Sequence, residues 1–598
     1  MIDMISISGL EKFMNDMEKY NYNPSFLELR KYAKNLKDND IKATLTVIGD
    51  CATQHISTAI QGYSCFIDYP LKVYDADYNQ LNALILDNNS ELYINNPDFV
   101  FLLMSSEMLK ASFDSFDARN NFAEHQFSII NNYWNKISEH SNTIILQSTY
   151  VEVDDAVYGN YALKTQESFL FQVKKLNYLI CEGSQKYKNL FLIDVNKIAT
   201  KEGYKNMHDS KLYYMAKLPF KTESLSLIAK NVLDVIRAIK GVFKKCIICD
   251  LDNTLWGGVI GDDGINGIQI GDLGSGHAFD DLQHWLKSLK ERGIILAICS
   301  KNEESTAKEP FIKHPEMVLS LDDISFFVAN WEDKASNIKL IQKTLNIGMD
   351  SIVFIDDNPF ERNLVRNTIA EITVPELPDD PSLYLEYLKS LNLFETASYS
   401  ETDKVRTKQY QTEVARITLE RSFEDYNQYL ESLEMVASSC PFDDFHAPRI
   451  AQLTQRSNQF NLRTLRCTEG DIKNYSVNND FITRYYTLRD KFGDYGLISV
   501  LLLKKDSDKT LFIENWLMSC RVLKRGVEEF VINDIVRIAK ENGFQYVKGE
   551  YIATAKNAMV KDIYQNNGFA PLKNSTCFLL NIDDYCIKKT YIKSENYG

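Results

Sequence analysis

The stretch Cys246-Ile-Ile-Cys-Asp-Leu-Asp-Asn-Thr-Leu decides the fold of the central part of this chain. Its first four residues are apolar or thiol side chains, and two aspartates, Asp250 and Asp252, come directly after them. A short apolar run bounded in this way predicts a buried strand of a parallel sheet. Because open α/β sheets bind ligands beyond the carboxyl ends of their strands, both carboxylates are expected at that edge.

Three further apolar runs follow at the spacing of an α/β series, and polar residues come after each of them. The runs are Ile294-Ile-Leu-Ala-Ile-Cys, Phe326-Phe-Val-Ala and Ile352-Val-Phe-Ile. Between the first two strands, four residues fall at helical spacing: Leu282, Trp285, Leu286 and Leu289. Gly293 follows as the residue that ends the helix. The region therefore predicts a Rossmann-type parallel sheet with crossover helices.

The aspartates at these strand ends predict phosphoryl-transfer chemistry. Asp250 is expected to attack a phosphoryl group, while Asp252 protonates the leaving oxygen and later activates the incoming nucleophile. Two anions would repel a phosphate unless a divalent cation lay between them, and hard oxygen ligands suit Mg²⁺. The predicted metal ligands are the four aspartates of the site: Asp250, Asp252, Asp356 and Asp357.

Other polar residues near the strand ends are predicted to hold the phosphate. Ser300 follows the second strand and is expected to hydrogen-bond the phosphoryl oxygens, while Lys334 neutralises charge as it develops. Thr254 and Asn302 complete the predicted substrate-binding set. Each residue alone is ordinary after a strand or at a helix start, but their joint order favours a catalytic site.

Length and composition bound the rest of the chain. With 598 residues it is too long for one core, and 44% hydrophobic with 25% charged residues is typical of folded globular proteins. A formal net charge of −15 argues against a nucleic-acid partner. No apolar run approaches the roughly 20 residues that cross a bilayer, and the start lacks a secretory-signal pattern. We therefore expect no membrane association and a cytoplasmic location.

Four longer strings resemble the FkbH-like family, subfamily IIIC of the haloacid dehalogenase-like (HAD) superfamily. They are Asp250-Leu-Asp-Asn-Thr-Leu-Trp-Gly-Gly-Val-Ile-Gly-Asp-Asp-Gly, Ile298-Cys-Ser-Lys-Asn-Glu-Glu, Asn330-Trp-Glu-Asp-Lys-Ala-Ser-Asn-Ile and Phe354-Ile-Asp-Asp-Asn-Pro-Phe-Glu-Arg. The resemblance implies that 1,3-bisphosphoglycerate loses phosphate and that its glyceryl group is loaded onto the phosphopantetheine thiol of an acyl carrier protein, in polyketide-type biosynthesis. It also implies an acyl-carrying enzyme thiol, for which Cys299 beside Ser300 is the candidate; the alternative for this cysteine is a buried structural thiol.

The region before Gly241 predicts a second parallel α/β sheet. Its strand candidates are Leu45-Thr-Val-Ile-Gly, Phe99-Val-Phe-Leu-Leu-Met, Thr143-Ile-Ile-Leu and Leu190-Phe-Leu-Ile. The segment Thr46-Val-Ile-Gly-Asp-Cys resembles the first block of SGNH-type hydrolases, with Cys51 at the position of their serine and His208 as the candidate base. Because the Asp-x-x-His order of those enzymes is not reproduced, a non-catalytic accessory domain is preferred over a second active site.

The end of the chain resembles the GNAT acyltransferase fold, through Met518-Ser-Cys-Arg-Val-Leu-Lys-Arg-Gly-Val-Glu-Glu and Asn557-Ala-Met-Val-Lys-Asp-Ile-Tyr-Gln-Asn-Asn-Gly-Phe. That resemblance implies a loop at a helix N-terminus that holds the coenzyme A pyrophosphate. Arg521 and Gly526 fit the Arg-x-x-Gly-x-Gly loop, but Lys524 stands at its first glycine. The substitution disfavours coenzyme A and leaves a phosphopantetheine arm or a structural role open.

These observations predict a multidomain α/β protein whose HAD-like core is flanked by an SGNH-like α/β domain and a GNAT-like α+β domain. The expected boundaries are 1–240 SGNH-like, 241–375 HAD-like, 376–434 helical connector and 435–598 GNAT-like. The expected function is glyceryl transfer from a small phosphorylated three-carbon substrate to an acyl carrier protein with phosphate release. The alternatives are a Mg²⁺-dependent small-molecule phosphatase and a non-catalytic carrier-docking module, and the intact set of site residues argues against the docking module.

Overall fold

The computed structural model describes residues 23–76, 80–399, 407–408, 410–412, 416, 419, 423, 425–573 and 575–595. The chain divides into two compact units: the first runs up to Ala238 and the second from Ile239 onward. The start of the chain, on which the secretory-signal prediction rests, and part of the predicted connector 376–434 lie outside the described residues. Among the helices that the structure describes, none is long and apolar enough to cross a membrane.

Helices and strands alternate through the first unit and the start of the second. The strands are β1 (Ala43–Gly49), β2 (Leu71–Asp75), β3 (Phe99–Leu103), β4 (Ile144–Ser148), β5 (Leu190–Ile193), β6 (Cys246–Cys249), β7 (Ile295–Ser300), β8 (Phe326–Ala329), β9 (Ile352–Ile355), β10 (Val436–Cys440), β11 (Phe481–Asp490), β12 (Gly493–Ser507), β13 (Thr510–Met518), β14 (Tyr546–Glu550), β15 (Ala570–Pro571), β16 (Cys577–Asn581) and β17 (Lys593–Ser594). The α-helices are α1 (Phe26–Lys34), α2 (Gln54–Phe66), α3 (Leu81–Leu86), α4 (Glu91–Asn95), α5 (Ser106–Asp114), α6 (Phe122–His140), α7 (Phe169–Ser184), α8 (Val195–Glu202), α9 (Tyr204–Met207), α10 (Ser210–Ala216), α11 (Leu225–Ile239), α12 (Ile260–Asp263), α13 (Ser275–Glu291), α14 (Glu304–Lys313), α15 (Lys334–Leu345), α16 (Pro359–Thr368), α17 (Tyr384–Leu391), α18 (Tyr426–Ser432), α19 (Ala447–Arg456), α20 (Glu469–Val477), α21 (Val527–Glu541) and α22 (Ile563–Asn566).

The first unit contains a parallel sheet in the order β2-β1-β3-β4-β5. The four predicted strand runs overlap β1, β3, β4 and β5, with bounds that differ by up to two residues. Strand β2 was not among the predictions, because only its first residue is buried and the rest of Leu-Lys-Val-Tyr-Asp is partly or fully exposed. An edge strand of this kind lacks the continuous apolar run that marks a central parallel strand.

The second unit opens with a parallel sheet in the order β8-β7-β6-β9, which confirms the predicted HAD-like core. Every residue of β6, β7 and β9 is buried, as expected for strands covered by helices on both faces. The predicted crossover helix is α13, and the chain leaves it through Gly293 at φ 96°. Because β6 lies between β7 and β9, the residues after it sit at the middle of the carboxyl edge.

A second, mixed sheet in this unit has the order β15-β16-β14-β13-β12-β11-β10-β17. Its neighbours are mostly antiparallel, but β13 and β14 are parallel and α21 connects them. They pair only over residues 510–513 and 546–549, after which β13 continues to Met518. This diverging parallel pair within a largely antiparallel sheet is the predicted GNAT-like α+β fold, with hydrophobic clusters on both faces of the sheet.

Candidate active site

The structure brings together three aspartates that lie far apart in the sequence. Asp250 follows β6, and Asp356 with Asp357 follows the adjacent strand β9. One carboxylate oxygen from each of the three lies within 4.8 Å of the others. The cluster sits at the carboxyl edge of the sheet, where the sequence places the catalytic site.

Lys334 lies between two of these carboxylates. It is the first residue of α15, and its Nζ lies 2.7 Å from Asp250 Oδ2 and 2.6 Å from Asp356 Oδ2. Asp356 is 0% exposed and Lys334 3% exposed, so both ion pairs are shielded from water. The preceding residue, Asp333, caps the helix by accepting a hydrogen bond from Ser336 N, which fixes where the lysine enters the site.

The electrostatics of this cluster follow from its burial and its surplus of negative charge. Burial, and then the Asp250 carboxylate, raise the pKa of Asp356 to about 7 although Lys334 opposes the change. The same two causes raise the pKa of Asp357. Burial lowers the pKa of Lys334, but Asp250 and Asp356 outweigh it and the net change is upward. Lys334 therefore stays protonated, and its single positive charge does not compensate the negative charge of the aspartates.

The donor set fits a hard divalent cation. Asp250 Oδ1 is buried and, among the described residues, accepts no hydrogen bond. A buried ionised oxygen without a partner is costly unless a bound ligand interacts with it. Three carboxylates face one lysine, so one further double positive charge would neutralise the cluster. Carboxylate oxygens converging within a few ångströms are what Mg²⁺ or a similar ion requires. The metal ligands supported by this geometry are Asp250, Asp356 and Asp357.

Asp252 is held apart from that cluster. Its Oδ1 accepts hydrogen bonds from Trp256 Nε1 and Ile260 N, both at 3.0 Å, and its Oδ2 accepts one from Asn302 Nδ2 at 2.8 Å. The geometry leaves the role of Asp252 as a metal ligand a prediction, since its oxygens are not among those that converge within 4.8 Å. It does fix the carboxylate in one orientation beside the site, as an acid or base requires.

Two residues predicted to bind substrate hold the acids in this structure. Thr254 Oγ1 donates to Asp357 Oδ1 at 3.3 Å and accepts from Asp357 N at 3.1 Å. Asn302 donates from Nδ2 to Asp252 and, at 3.2 Å, to Ser300 Oγ. Their direct role toward substrate stays a prediction. The buried Ser300 lies at the end of β7 beside these groups, where a phosphoryl oxygen could reach it.

Cys299 points away from the site. It belongs to the apolar cluster that includes Ile295, Ala297 and Ile338, and its Sγ lies 3.8 Å from the carbonyl oxygen of Lys334. The thiol is 0% exposed, and burial raises its pKa above the usual range. A neutral, enclosed thiol is a poor nucleophile, so this placement favours packing over the predicted acyl-carrying role.

Sequence reasoning missed two buried supports of the site. Arg362 on α16 donates from Nη1 to the carbonyl oxygens of Asp356, at 2.9 Å, and Asp357, at 2.6 Å, which ties the loop after β9 to the helix. Trp256, which is 0% exposed, orients Asp252. Both residues lie inside the motif strings, but their partners are set by how the chain turns after each strand rather than by spacing.

The corresponding edge of the first unit does not assemble the suggested thiol site. Cys51 is buried, and burial together with the nearby acids Asp50 and Glu107 raises its pKa well above the usual range. His208 Nδ1 lies 2.9 Å from Glu107 Oε1, and its ring stacks on Tyr204. Within the described part of the chain, no hydrogen bond joins His208 to Cys51. The preferred prediction of a non-catalytic accessory domain agrees with this arrangement.

The GNAT-like loop is already occupied by the chain's own groups. Lys524 adopts φ 63°, the strained conformation expected where the pattern has glycine. Its N–H donates to Glu528 Oε1 at 3.0 Å, so a carboxylate stands near the start of α21 where the resemblance implies a pyrophosphate. Residues 460–462 fill the gap between the diverging strands: Leu462 N donates to Trp516 O, and Ile552 N donates to Leu462 O. Both features disfavour coenzyme A in this cleft.

Comparisons with known proteins match both units. The sequence profile of the FkbH N-terminal domain matches residues 44–237. The N-terminal part of the protein BF1531 from Bacteroides fragilis, a crystal structure containing a phosphatase domain complexed with Mg, is 45% identical, with a TM-score of 0.60; the match covers 63% of this chain and 100% of that chain. The ribosomal-protein-S18-alanine N-acetyltransferase from Escherichia coli is 12% identical over 25% of this chain and 94% of its own, with a TM-score of 0.20. No curated protein matches this chain.

Proposed function

Because this chain belongs to the FkbH-like family, we propose that it is a Mg²⁺-dependent phosphatase that also transfers a glyceryl unit from 1,3-bisphosphoglycerate to an acyl carrier protein. The observation that carries the phosphatase half is the unpartnered Asp250 Oδ1 beside Asp356 and Asp357. The similar Bacteroides fragilis protein contains a phosphatase domain and was crystallised with Mg, which supports the same metal here.

The residues of the site divide the work of phosphoryl transfer. The Asp250 carboxylate attacks phosphorus, the bond from phosphorus to the substrate oxygen breaks, and an aspartyl phosphate forms. Asp252, oriented by Trp256 and Asn302, gives a proton to the leaving oxygen and then takes one from the water that hydrolyses the intermediate. Phosphate leaves, and both carboxylates return to their starting states.

Positive charge in the site has two sources. Lys334, buried between Asp250 and Asp356, holds the nucleophile in place and offsets charge that develops on the phosphoryl oxygens. When bound by Asp250, Asp356 and Asp357, Mg²⁺ supplies the remaining positive charge and allows a phosphate to approach the anionic cluster. Ser300 supplies a hydroxyl for the transferred group.

The acyl-transfer half needs little from the aspartate site, because an acyl phosphate is already activated. The carrier thiol adds to the acyl carbon, the bond from that carbon to the phosphate oxygen breaks, and the thiol proton leaves with the phosphate. The phosphate that remains on the other hydroxyl is then the substrate of Asp250. The partner is the phosphopantetheine arm of an acyl carrier protein, and the product is a glyceryl thioester for polyketide-type biosynthesis.

A simpler function is the second candidate: a small-molecule phosphatase that acts without a carrier. The observation that favours it is that every group of the phosphoryl-transfer site comes from the sheet β6 to β9 and the segments that follow its strands. Nothing in that chemistry draws on the first unit. This candidate predicts the same phosphate release whether or not a carrier is present.

Intact-mass spectrometry separates the two candidates. The full chain, Mg²⁺ and 1,3-bisphosphoglycerate are incubated with a phosphopantetheinylated carrier protein, and free phosphate is measured in the same samples. A glyceryl-sized mass gain on the carrier that requires the enzyme supports the transferase. Phosphate release with carriers that stay unmodified supports the plain phosphatase. Omitting the enzyme controls for spontaneous acylation by the reactive acyl phosphate.

A further inference from the structure

The segment after β7 contains a charged residue that the mechanism does not use. Lys301 lies between Ser300, which ends β7, and Asn302. Its Nζ donates a hydrogen bond to Glu361 Oε1 at 2.6 Å, and Glu361 belongs to the first turn of α16. In the sheet, β7 and β9 lie on either side of β6, and α16 follows β9. The ion pair therefore ties together the two segments that flank the strand leading to Asp250.

This ion pair is much less exposed than an ordinary surface pair. The side chain of Glu361 is 7% exposed and that of Lys301 is 35% exposed. Among the described residues, the second carboxylate oxygen of Glu361, Oε2, is buried and has no hydrogen-bond partner. Lys301 is therefore the described side chain that compensates this buried charge. The carboxylate holds the lysine in place, because separating the two would leave an uncompensated charge out of water.

The hydrogen bonds of the two neighbouring residues lead from Lys301 to the reacting groups. Asn302 Nδ2 donates to Asp252 Oδ2 at 2.8 Å and to Ser300 Oγ at 3.2 Å. In the mechanism proposed above, Ser300 offers a hydroxyl to the transferred group and Asp252 moves the proton. Both bonds depend on where residues 300–302 lie, and Lys301 anchors the middle of that segment to α16.

We propose that the ion pair between Lys301 and Glu361 positions residues 300–302 for phosphoryl transfer. Through this segment it holds Ser300 and Asp252 where the reaction needs them, a role that rests on the proposed phosphatase function. In this role neither charged side chain touches the reacting atoms. The pair therefore acts on the arrangement of groups that stabilise the transition state, and not on binding of the substrate. Loss of the pair should lower kcat far more than it raises KM.

Steady-state kinetics of the full chain with Mg²⁺ test the proposal, with 3-phosphoglycerate and p-nitrophenyl phosphate as substrates. Lys301→Met removes the charge but keeps most of the apolar stem, and we expect kcat to fall at least about tenfold while KM changes less than about threefold. Vanadate, which adopts the trigonal-bipyramidal geometry of the transition state, should inhibit at least about tenfold more weakly, whereas inhibition by the product phosphate should stay within about threefold. Lys301→Arg, which keeps the charge, should retain most of kcat.

A second ion pair of the same kind separates positioning from stability. Lys290 Nζ lies 2.8 Å from Asp323 Oδ1, with side chains 20% and 6% exposed, so a partly buried lysine again meets a buried carboxylate. Lys290 lies in the last turn of α13 and Asp323 precedes β8, which places this pair at the edge of the sheet opposite the phosphoryl-transfer site. In urea denaturation, Lys290→Met should lose as much unfolding free energy as Lys301→Met, but its kcat should be unchanged.

Lys301→Met leaves Glu361 buried without a cation, so a double variant keeps the test informative if the single variant unfolds. Lys301→Met combined with Glu361→Gln has no charge at this position and should fold, yet its kcat should stay at least about tenfold low. Normal kcat in the double variant, or a KM change as large as the kcat change, would overturn the positioning role while phosphate release by the unsubstituted chain upheld the phosphatase. Absence of phosphate release from the unsubstituted chain would overturn the proposed function, and the positioning role with it.

Discussion

The carboxyl edges of the two parallel sheets both carry acidic side chains, yet they differ in where the nearest cationic group lies. In the second unit, Lys334 lies between Asp250 and Asp356 at ion-pair distance. In the first unit, the basic side chain is His208, and it is paired with Glu107 rather than with Cys51. A counter-charge activates a nucleophile at a strand edge. Lys334 supplies one to Asp250, whereas among the described residues no hydrogen bond or ion pair joins Cys51 to a cationic side chain.

Replacing the nucleophile at the charged edge should have the largest effect. Asp250→Asn keeps the shape of the side chain but removes the attacking carboxylate, so phosphate release should fall by about a thousandfold or more. The measurement is a phosphate assay with a small phosphorylated substrate, with circular dichroism to check the fold. Asp281→Asn, an exposed position on α13, is the matched control and should retain activity. Full activity in Asp250→Asn would contradict the proposed mechanism, in which the Asp250 carboxylate is the nucleophile.

Removing the cation should make the second edge resemble the first. Lys334→Met leaves two buried carboxylates without their partner, so we expect about 3–5 kcal/mol less stability in metal-free buffer at pH 8. Phosphate release should fall about a hundredfold. Chemical denaturation with and without Mg²⁺ checks the first effect, and Mg²⁺ should restore part of the loss.

Lys308→Met is the control for that substitution, because Lys308 forms an exposed i,i+4 pair with Glu304 on α14. A surface pair of this kind should cost less than about 1 kcal/mol when it is broken. Equal losses of unfolding free energy in the two variants would contradict the expectation that burial makes the ion pairs of Lys334 more important for stability.

The raised pKa of Asp356, about 7, gives the charged edge a pH dependence. The metal-free folded chain holds a proton there that the unfolded chain, with an Asp pKa near 4, has released, so metal-free stability should fall as pH rises from about 4 to about 7. Mg²⁺ needs the deprotonated carboxylate, so its affinity should rise by up to about tenfold between pH 6 and pH 8. Titration calorimetry at both pH values measures this, and a flat affinity would contradict the shift.

The sequence predicted those strands of the two sheets that consist of continuous apolar residues. The strands β6, β7 and β9 are fully buried and therefore read as apolar stretches, and the acids after them reach the same edge. Strand β2 was missed because an edge strand carries a mixed pattern. The order of the strands within each sheet was not predicted, since it depends on how helices pack across the faces.

Contacts between side chains were harder to predict than positions. Strand alternation explains why Ser300 faces the site while Cys299, its neighbour on β7, packs in the core, and that alternation was available from the sequence. The bonds from Thr254 to Asp357 and from Asn302 to Asp252 were not available, because they depend on loop geometry after two different strands. The sequence pattern of strands and the acids after them therefore located the site. The residues that support the acids were identified only from contacts in the folded structure.

The smallest effect is expected at the edge of the first unit. Cys51→Ala removes a buried, neutral thiol, so phosphate release should stay within about twofold while stability falls by roughly 1 kcal/mol. Cys65→Ala, at a half-buried position on α2, is the matched control. The carrier-loading assay makes the test sharp: if Cys51→Ala abolished the glyceryl-carrier product but left phosphate release intact, the acyl-carrying thiol would lie in the first unit. The two strand edges would then act in successive steps of one reaction. The edge in the first unit would open and expose the Cys51 thiol, and the edge in the second unit would complete dephosphorylation.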